Sequence, residues 1–282
     1  MIKKPILAFT IFFISVSSNA ATVDTISIYS NAMHKEFKCV VIKPATYKKF
    51  PHRNKENKSF PVVYLLHGYG GWYSNWLIRV PKLKDYADEF NLIIVCPDGG
   101  YSSWYFDSPI DTTMKYETYI GKEVPAYIDA HYNTIKNRTG RAITGLSMGG
   151  HGGLFLGFRH ADFFGACGSI SGGVDLNYSR NKFDVTKRIG DTVSYADNWK
   201  KYSVINVVEI YPKDSLAIIF DCGIEDIFFN NNHTLHEKMV KLKIPHDYIE
   251  RPGKHDWVYW RNSVGYQLLF FRNYFNKERN KK

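Results

Sequence analysis

A serine between two glycines is the clearest candidate for chemistry in this sequence of 282 residues. Ser147 stands in the pattern Gly145-x-Ser147-x-Gly149, and a run of small residues continues to position 153. A strand-like apolar segment precedes the pattern and a predicted helix follows it. A serine on such a sharp strand-to-helix turn is lifted clear of its sheet, and the first amides of the helix lie beside it. The pattern predicts a nucleophile at Ser147, although the glycines alone would also suit a closely packed helix start.

A serine nucleophile needs a base within hydrogen-bond reach, and an acid that orients the base. In the α/β folds that carry this turn, the chain order is serine, acid, histidine. This order leaves His233, His236, His246 and His255 as candidates. The first three fall in a predicted helix or at the start of a predicted strand. His255 lies in a loop between a strand and a helix, so we expect it to be the base.

The acid should follow the strand that is predicted at residues 216–220. Asp221, Glu225 and Asp226 all satisfy this condition. Asp221 is expected to end the strand itself, whereas Asp226 comes after a glycine turn and can reach back towards His255. We therefore favour Asp226, whose carboxylate would fix the imidazole tautomer and stabilise the imidazolium.

Acyl transfer also requires amide donors where negative charge develops on the carbonyl oxygen. One donor should be the N–H of Met148, directly after the serine. The second should come from the glycine-rich loop that begins at His67, after the predicted strand at residues 62–66. We choose the N–H of Tyr69, with Gly70 as the alternative, and we interpret His67 as a structural hydrogen-bonding residue.

The elements that must position these residues alternate along the chain. Continuous apolar runs at residues 62–66 and 92–95 suit strands that are buried on both faces of a parallel sheet. Further strands are predicted at residues 37–42, 141–144, 166–171, 216–220 and 246–250. Helices are predicted at residues 80–90, 113–132 (with a kink at Pro125), after the serine turn to about 159, 233–242 and 257–275. Such alternation predicts an α/β fold in which ligands bind at the carboxyl ends of the strands.

Several motifs recur in one order along the chain, and together they resemble a known family. They are Leu66-His67-Gly68-Tyr69-Gly70-Gly71, Pro97-Asp98-Gly99-Gly100, Ser103-Trp104-Tyr105, Gly145-Leu146-Ser147-Met148-Gly149-Gly150, Asp221-Cys222-Gly223-x-x-Asp226 and His255-Asp256-Trp257. The sequence resembles the α/β-hydrolase esterases that include esterase D (S-formylglutathione hydrolase), tributyrin esterases, feruloyl esterases and the antigen 85 mycolyltransferases. Exported bacterial esterases of the tributyrin or feruloyl type are the most similar group.

The resemblance, which spans about residues 37–275, implies an α/β-hydrolase fold with a mostly parallel central sheet and helices on both faces. It implies that Ser147, Asp226 and His255 match the triad of the family. It also implies that the amides of Tyr69 and Met148 match its oxyanion donors. Residues 173–213 match no fixed family pattern, and we interpret them as a partly helical insertion over the active-site end of the sheet.

The first twenty residues have the pattern of a secretory signal peptide. Lys3 and Lys4 precede an apolar run at residues 5–16, and small residues lead to Ala20. The run is shorter than the roughly 20 residues of a membrane span. We therefore expect a signal peptide at residues 1–20, one esterase domain at residues 21–282, and a secreted or periplasmic location without a membrane span.

Composition excludes several other classes of protein. Hydrophobic residues make up 44% of the chain, which is typical of a globular domain and excludes a mainly disordered chain. The formal net charge is +10, but no interleaving of aromatic and basic residues indicates a nucleic-acid module. Four widely spaced cysteines predict free buried thiols. No HExxH motif or Cys/His cluster occurs, and His233-x-x-His236 alone is weak support for zinc, so we expect no metal and no cofactor.

These observations predict a secreted serine carboxylesterase for short-chain acyl or feruloyl esters, with acylated plant polysaccharide as the expected partner. Aromatic residues near the catalytic end would bind substrate or, equally, pack in the core: Trp72, Trp76, Trp104, Tyr105 and Trp257. A thioesterase similar to S-formylglutathione hydrolase and an acyltransferase are alternatives. A serine peptidase is disfavoured because the chain leaves no room for a second large domain. A non-catalytic carbohydrate-binding protein would need no Ser–His–Asp set.

Overall fold

The structure is a computed structural model that describes residues 20–49, 59–212 and 215–281. The predicted signal peptide therefore lies outside the described residues, except for Ala20. No helix in these ranges has the length and apolar character that a membrane crossing would need.

The described residues form one eight-stranded sheet. Its strands are β1 (Thr22–Ser30), β2 (Lys35–Lys43), β3 (Val62–Leu66), β4 (Ile93–Pro97), β5 (Arg141–Gly145), β6 (Ala166–Ile170), β7 (Ala217–Gly223) and β8 (Asp247–Arg251). They lie in the order β1-β2-β4-β3-β5-β6-β7-β8. The strands from β3 to β8 pair in parallel, whereas β1 and β2 are antiparallel additions at one edge.

Helices connect the parallel strands and supply the wall of the site. They are α1 (Asn75–Arg79), α2 (Leu83–Phe90), α3 (Tyr116–Thr118), α4 (Val124–His131), α5 (Met148–Arg159), α6 (Val185–Ile189), α7 (Ala196–Tyr202), α8 (Val204–Val207), α9 (Phe229–Lys241) and α10 (Trp257–Arg279). Short 3-10 turns lie at Ala45–Lys49, Arg138–Gly140 and Leu176–Ser179. The described part of the 173–213 segment, residues 173–212, thus contains a 3-10 turn and the short helices α6, α7 and α8.

The sheet is covered on both faces. Val62, Tyr64 and Leu66 of β3 point into a core that includes side chains of α4, α5 and α9. Val63 and Leu65 point into a second core, which α2 and α10 complete. Successive residues of a strand face opposite sides, so a strand buried on both sides reads as a continuous apolar run. The α/β-hydrolase architecture predicted from the sequence is confirmed.

Three local features differ from the prediction. The edge strand β1 was not predicted, because its half-exposed residues alternate with polar ones and it lies directly after the predicted signal peptide. The five-residue helix α1 is too short to show a periodic pattern. The helix predicted over residues 113–132 is divided by a π-helical turn at Tyr119–Glu123. Pro125 lies at the start of α4 and has no N–H to continue the α-helical ladder, so the chain widens one turn before it.

Candidate active site

Ser147 occupies a strained turn between β5 and α5. Its φ of 55° and ψ of −117° are values that side chains rarely adopt. Its N–H donates to the carbonyl oxygen of Ile170 at 2.9 Å, which fastens the turn to the end of β6. Gly149 follows because a Cβ there would lie 2.5 Å from the carbonyl oxygen of His67. The surrounding backbone thus holds the half-buried serine in this strained conformation.

His255 lies between Ser147 and Asp226. Its Nε2 atom is 2.9 Å from the Ser147 hydroxyl oxygen. Its Nδ1 atom is 3.0 and 2.9 Å from the two carboxylate oxygens of Asp226. A carboxylate only accepts hydrogen bonds, so Nδ1 must carry the proton that it donates. Nε2 is then free to accept the proton of the serine hydroxyl.

The loops after β7 and β8 are fastened together and bring Asp226 to His255. The N–H of Glu225 donates to the carbonyl oxygen of Gly253 at 3.0 Å. Gly223 has no room for a Cβ because that same carbonyl group crosses it. The Asp226 side chain is fully buried, and its Oδ1 atom also accepts the N–H of Phe228 at 2.8 Å. The acid is therefore held by backbone as well as by the imidazole.

The two other candidate carboxylates have different partners. Asp221 is buried within β7, accepts from Ser263 and, at 2.7 Å, from Gln267 of α10. Burial raises the pKa of Asp221. Glu225 is exposed and lies 3.7 Å from the ammonium group of Lys254. Neither carboxylate contacts the imidazole.

The sequence predicts two backbone amides, those of Met148 and Tyr69, as oxyanion donors. Met148 is the first residue of α5, where an amide has no partner within the helix. Tyr69 lines the same cleft as Ser147. The alternative donor, the N–H of Gly70, is engaged with the carbonyl oxygen of Tyr101 at 2.8 Å. Among the predicted candidates, this contact disfavours Gly70, and the amides of Met148 and Tyr69 remain the predicted donors.

His67 joins the loops that follow β3 and β4. Its Nε2 accepts the N–H of Gly99 at 2.7 Å, so its Nδ1 carries a proton and donates to the carbonyl oxygen of Gly68 at 2.8 Å. Burial lowers the pKa of His67, which keeps the ring neutral. These contacts agree with a structural role.

A cleft of about 300 Å³ opens above Ser147. It contains two of the aromatic residues proposed from the sequence, Trp72 and Trp257. The sequence reasoning missed four further lining side chains: Asn75, Arg79, Phe183 and Trp260. The spacing of Trp257 and Trp260 on one helix could have indicated that both share a face. Phe183 lies in the 173–213 segment, where no sequence signal pointed to it.

Trp76, Trp104 and Tyr105 do not line this cleft, contrary to the expectation that they bind substrate. All three side chains are buried. Their polar atoms donate to backbone carbonyls: Trp76 to Leu66 at 2.9 Å, Trp104 to Phe183 at 2.9 Å, and Tyr105 to His67 at 2.8 Å. Through these hydrogen bonds they hold the backbone of the segments that surround the cleft.

The side of the cleft at residues 173–213 is fastened by two side-chain contacts. Trp104 holds the carbonyl of Phe183, and the Tyr69 hydroxyl donates to Asp184 at 3.1 Å. Phe183 and Asp184 both have positive φ values, 55° and 57°. Partial burial and the Asp184 carboxylate raise the pKa of Tyr69 to about 12, so its hydroxyl remains a donor at neutral pH.

The sequence matches a model of a known protein family. The sequence model of the family described as "Putative esterase" matches residues 30–271, which is most of the chain. The chain belongs to this esterase family. It is accordingly a carboxylic ester hydrolase, as the sequence predicted.

Individual relatives agree with this result. The esterase is 26% identical to an acetyl esterase of Caldicellulosiruptor saccharolyticus over 254 residues, which cover 85% of this chain and 94% of the relative. It is 34% identical to the diacylglycerol acyltransferase/mycolyltransferase Ag85A of Mycobacterium gordonae over 237 residues, or 71% of this chain and 69% of the relative. It spans about half, 49%, of some other curated relatives. Among solved structures, a ferulic acid esterase with 30% identity superposes with a TM-score of 0.76, covering 92% of this chain and all of that one.

The cysteines of the esterase are buried, and the other histidines considered as the base, His233, His236 and His246, contact Glu250 or each other. The four cysteines, within the described ranges, are buried free thiols, as predicted. His233 contacts Glu250 at 2.7 Å, and His236 contacts His246 at 2.9 Å. No group of three or more Cys, His, Asp or Glu side chains in the described residues is arranged to hold a metal ion.

Proposed function

We propose that the esterase is a secreted serine hydrolase that cleaves short-chain acyl or hydroxycinnamoyl esters through Ser147, His255 and Asp226. The observation that carries the proposal is the continuous hydrogen-bond chain from the serine hydroxyl through the imidazole to a buried carboxylate. Membership of the esterase family supports the reaction class.

The proposed reaction has two halves. The Ser147 oxygen attacks the ester carbonyl carbon while His255 Nε2 takes the hydroxyl proton, and Asp226 stabilises the imidazolium that forms. The amides of Tyr69 and Met148 would donate to the oxyanion of the tetrahedral intermediate. When this intermediate collapses, His255 returns the proton to the departing alcohol and an acyl-serine remains. His255 then deprotonates a water molecule, which attacks the acyl-serine carbonyl carbon, and returns that proton to the Ser147 oxygen as the carboxylic acid leaves.

The cleft favours a small or flat acyl group. Its volume of about 300 Å³ lies at the lower end of the usual range for ligand pockets. The indoles of Trp72, Trp257 and Trp260 offer flat apolar surfaces, which suit an aromatic ring or the face of a sugar. Acetylated or feruloylated plant polysaccharide is the natural substrate that we propose. The acetyl esterase and ferulic acid esterase relatives support this class.

Acyl transfer to an alcohol is the second candidate function. It is favoured by the 34% identity to the mycobacterial acyltransferase. In this reaction a substrate hydroxyl replaces water in the second half. Adding a sugar acceptor and quantifying the acylated sugar against free acid distinguishes transfer from hydrolysis. The proposed export disfavours a thioesterase for glutathione conjugates, because such thioesters occur inside cells.

The substrate proposal is tested by kcat/KM across a series of esters. The series comprises p-nitrophenyl acetate, butyrate and octanoate, together with methyl ferulate and acetylated xylan. We expect kcat/KM to fall steeply between butyrate and octanoate, because the cleft is short of room for eight carbons and a leaving group. A preference for octanoate, or faster cleavage of a matched thioester than of the ester, would contradict the proposal.

A further inference from the structure

One wall of the cleft is formed by the chain from Trp72 to the end of α1. Trp72, Asn75 and Arg79 all line the cleft with Ser147. Asn75 and Arg79 are four residues apart on α1, so their side chains lie on the same face of the helix. This face presents two nitrogen donors to the cleft beside flat indole surface.

Arg79 is a cation without a counterion in this cleft. Its guanidinium lies 6.0 Å from the ring centroid of Trp257, a cation–π contact, and it forms no ion pair within the described chain. The residues that line the cleft include no Asp or Glu in the part of the chain that the structure describes. An anionic group that entered would therefore meet one positive charge and no carboxylate.

Asn75 adds an oriented amide. Its side chain is almost fully buried, and its oxygen accepts the N–H of Trp72 at 3.0 Å. This bond assigns the oxygen and the nitrogen of the amide, so the Nδ2 donor is the end that remains for the cleft. No described acceptor is bonded to that nitrogen. A donor held in place by a buried backbone contact costs little conformational entropy when it binds.

We propose that Asn75 and Arg79 form a subsite for a carboxylate on the ester substrate. The inference rests on the proposed ester hydrolysis at Ser147, and it narrows the proposed small acyl esters to those that carry a carboxylate on the acyl half or the alcohol half. A planar guanidinium and an amide N–H₂ both donate to carboxylate oxygens, and the guanidinium can do so with two parallel bonds. The indoles of Trp72 and Trp257 flank the two donors and would contact the apolar part of the same molecule.

The carboxylate could belong to either half of the ester, and matched substrates separate the two sources. For the acyl half, mono-4-nitrophenyl glutarate is compared with 4-nitrophenyl butyrate. For the alcohol half, 3-acetoxybenzoate is compared with phenyl acetate. Each pair adds one carboxylate, so the ratio of kcat/KM for the anionic ester to that for the neutral ester measures recognition of the charge.

Three substitutions test the subsite, and one serves as a control. Arg79→Gln removes the charge, and Asn75→Asp keeps the acceptor for Trp72 but replaces the donor with a carboxylate. Arg79→Lys keeps the positive charge but cannot donate two parallel hydrogen bonds to one carboxylate. Lys82→Gln makes the same change in net charge at an exposed position that does not line the cleft.

For at least one of the two pairs, we expect the ratio to fall about tenfold in Arg79→Gln and in Asn75→Asp, and by less in Arg79→Lys. It should not change in Lys82→Gln. An unchanged ratio for both pairs in Arg79→Gln or, if that variant does not fold, in Asn75→Asp overturns the subsite. An equal fall in Lys82→Gln also overturns it, because the effect is then one of overall charge. Turnover of the neutral esters by the unsubstituted enzyme tests the proposed hydrolysis separately.

Discussion

At the scale of single residues, the imidazole of His255 is fixed by contacts on every side. Phe228 and Trp260 pack perpendicular to it, with ring centroids 5.1 and 4.9 Å away. Asp226 accepts its Nδ1 proton, and Ser147 lies at Nε2. The ring therefore has little freedom to rotate, and the tautomer is set by the carboxylate alone.

Asp226 is the acid only if its own replacement impairs turnover. We expect Asp226→Asn to lower kcat roughly 10⁴-fold, because an amide can stabilise the wrong tautomer of His255. Asp221→Asn should lower stability, since it weakens a buried pair with Arg251. Its kcat should stay within about tenfold of the unsubstituted enzyme, because the side chain does not touch the imidazole. Steady-state kinetics and thermal unfolding of both variants make the comparison.

The opposite pattern would contradict the assignment of the acid. A severe loss of kcat in a folded Asp221→Asn protein, together with a mild loss in Asp226→Asn, would mean that the carboxylate in β7 orients the base instead.

The sequence could predict the site residues that local motifs and chain order identify. The turn at Ser147 and the loop histidine follow from glycine spacing and element order. Asp226 was favoured among three candidate carboxylates, but only the tertiary contacts show that Asp221 is turned towards α10. Aromatic side chains were the hardest to place: Trp72 and Trp104 have the same chemistry, and only packing separates a cleft residue from a buried support.

At the scale of elements, the 173–213 segment is anchored to α5. His151, one turn after Ser147, donates from Nε2 to the carbonyl oxygen of Tyr202 at the end of α7, 2.9 Å away. The ring is buried between aromatic side chains, stacked on Phe155 and at right angles to Trp104. Burial lowers the pKa of His151 to about 4.

This buried histidine should make stability depend on pH. In the unfolded chain a histidine binds a proton below about pH 6.5, whereas folded His151 stays neutral down to about pH 4. The unfolded state therefore gains protons first, and stability falls as the pH drops from 6.5 to 4. At pH 4.5 this difference corresponds to about 2–3 kcal/mol in the free energy of unfolding.

Denaturant unfolding at pH 7 and pH 4.5 measures the effect. His151→Gln keeps a donor for Tyr202 but cannot be protonated, so it should lose about 2–3 kcal/mol less than the unsubstituted protein between the two pH values. Subtracting the two losses removes the contribution of His67, which is buried in both proteins. Equal losses in the two proteins would show that His151 does not titrate in this way.

Continuous apolar runs made the central strands predictable from the sequence. The prediction for β3 matches its bounds, and β4 begins one residue later than expected. Elements that depend on tertiary contacts were missed: α1 is shorter than two turns, and β1 is half exposed. The π-helical turn before Pro125 arises because proline has no backbone N–H to donate. The sequence shows that this hydrogen bond is missing, but not how the helix around it rearranges.

At the scale of the whole molecule, three loops converge because their strands are parallel. Ser147, Asp226 and His255 follow β5, β7 and β8, and parallel strands end at the same edge of the sheet. Chain order and topology together therefore bring Ser147 and His255, which are 108 positions apart in the sequence, into hydrogen-bond contact. The proposed export of the whole molecule rests on the signal-peptide pattern at residues 1–20.

Covalent labelling with an active-site probe tests directly whether Ser147 is a nucleophile that His255 activates. The protein is incubated with a fluorophosphonate, and intact mass followed by peptide mapping locates the adduct. We expect one adduct, on Ser147. The labelling rate should fall at least about 10³-fold in His255→Ala and should not change in His233→Ala, whose exposed histidine contacts Glu250. An adduct on another residue, or equally rapid labelling in His255→Ala, would contradict the assignment of Ser147 and His255.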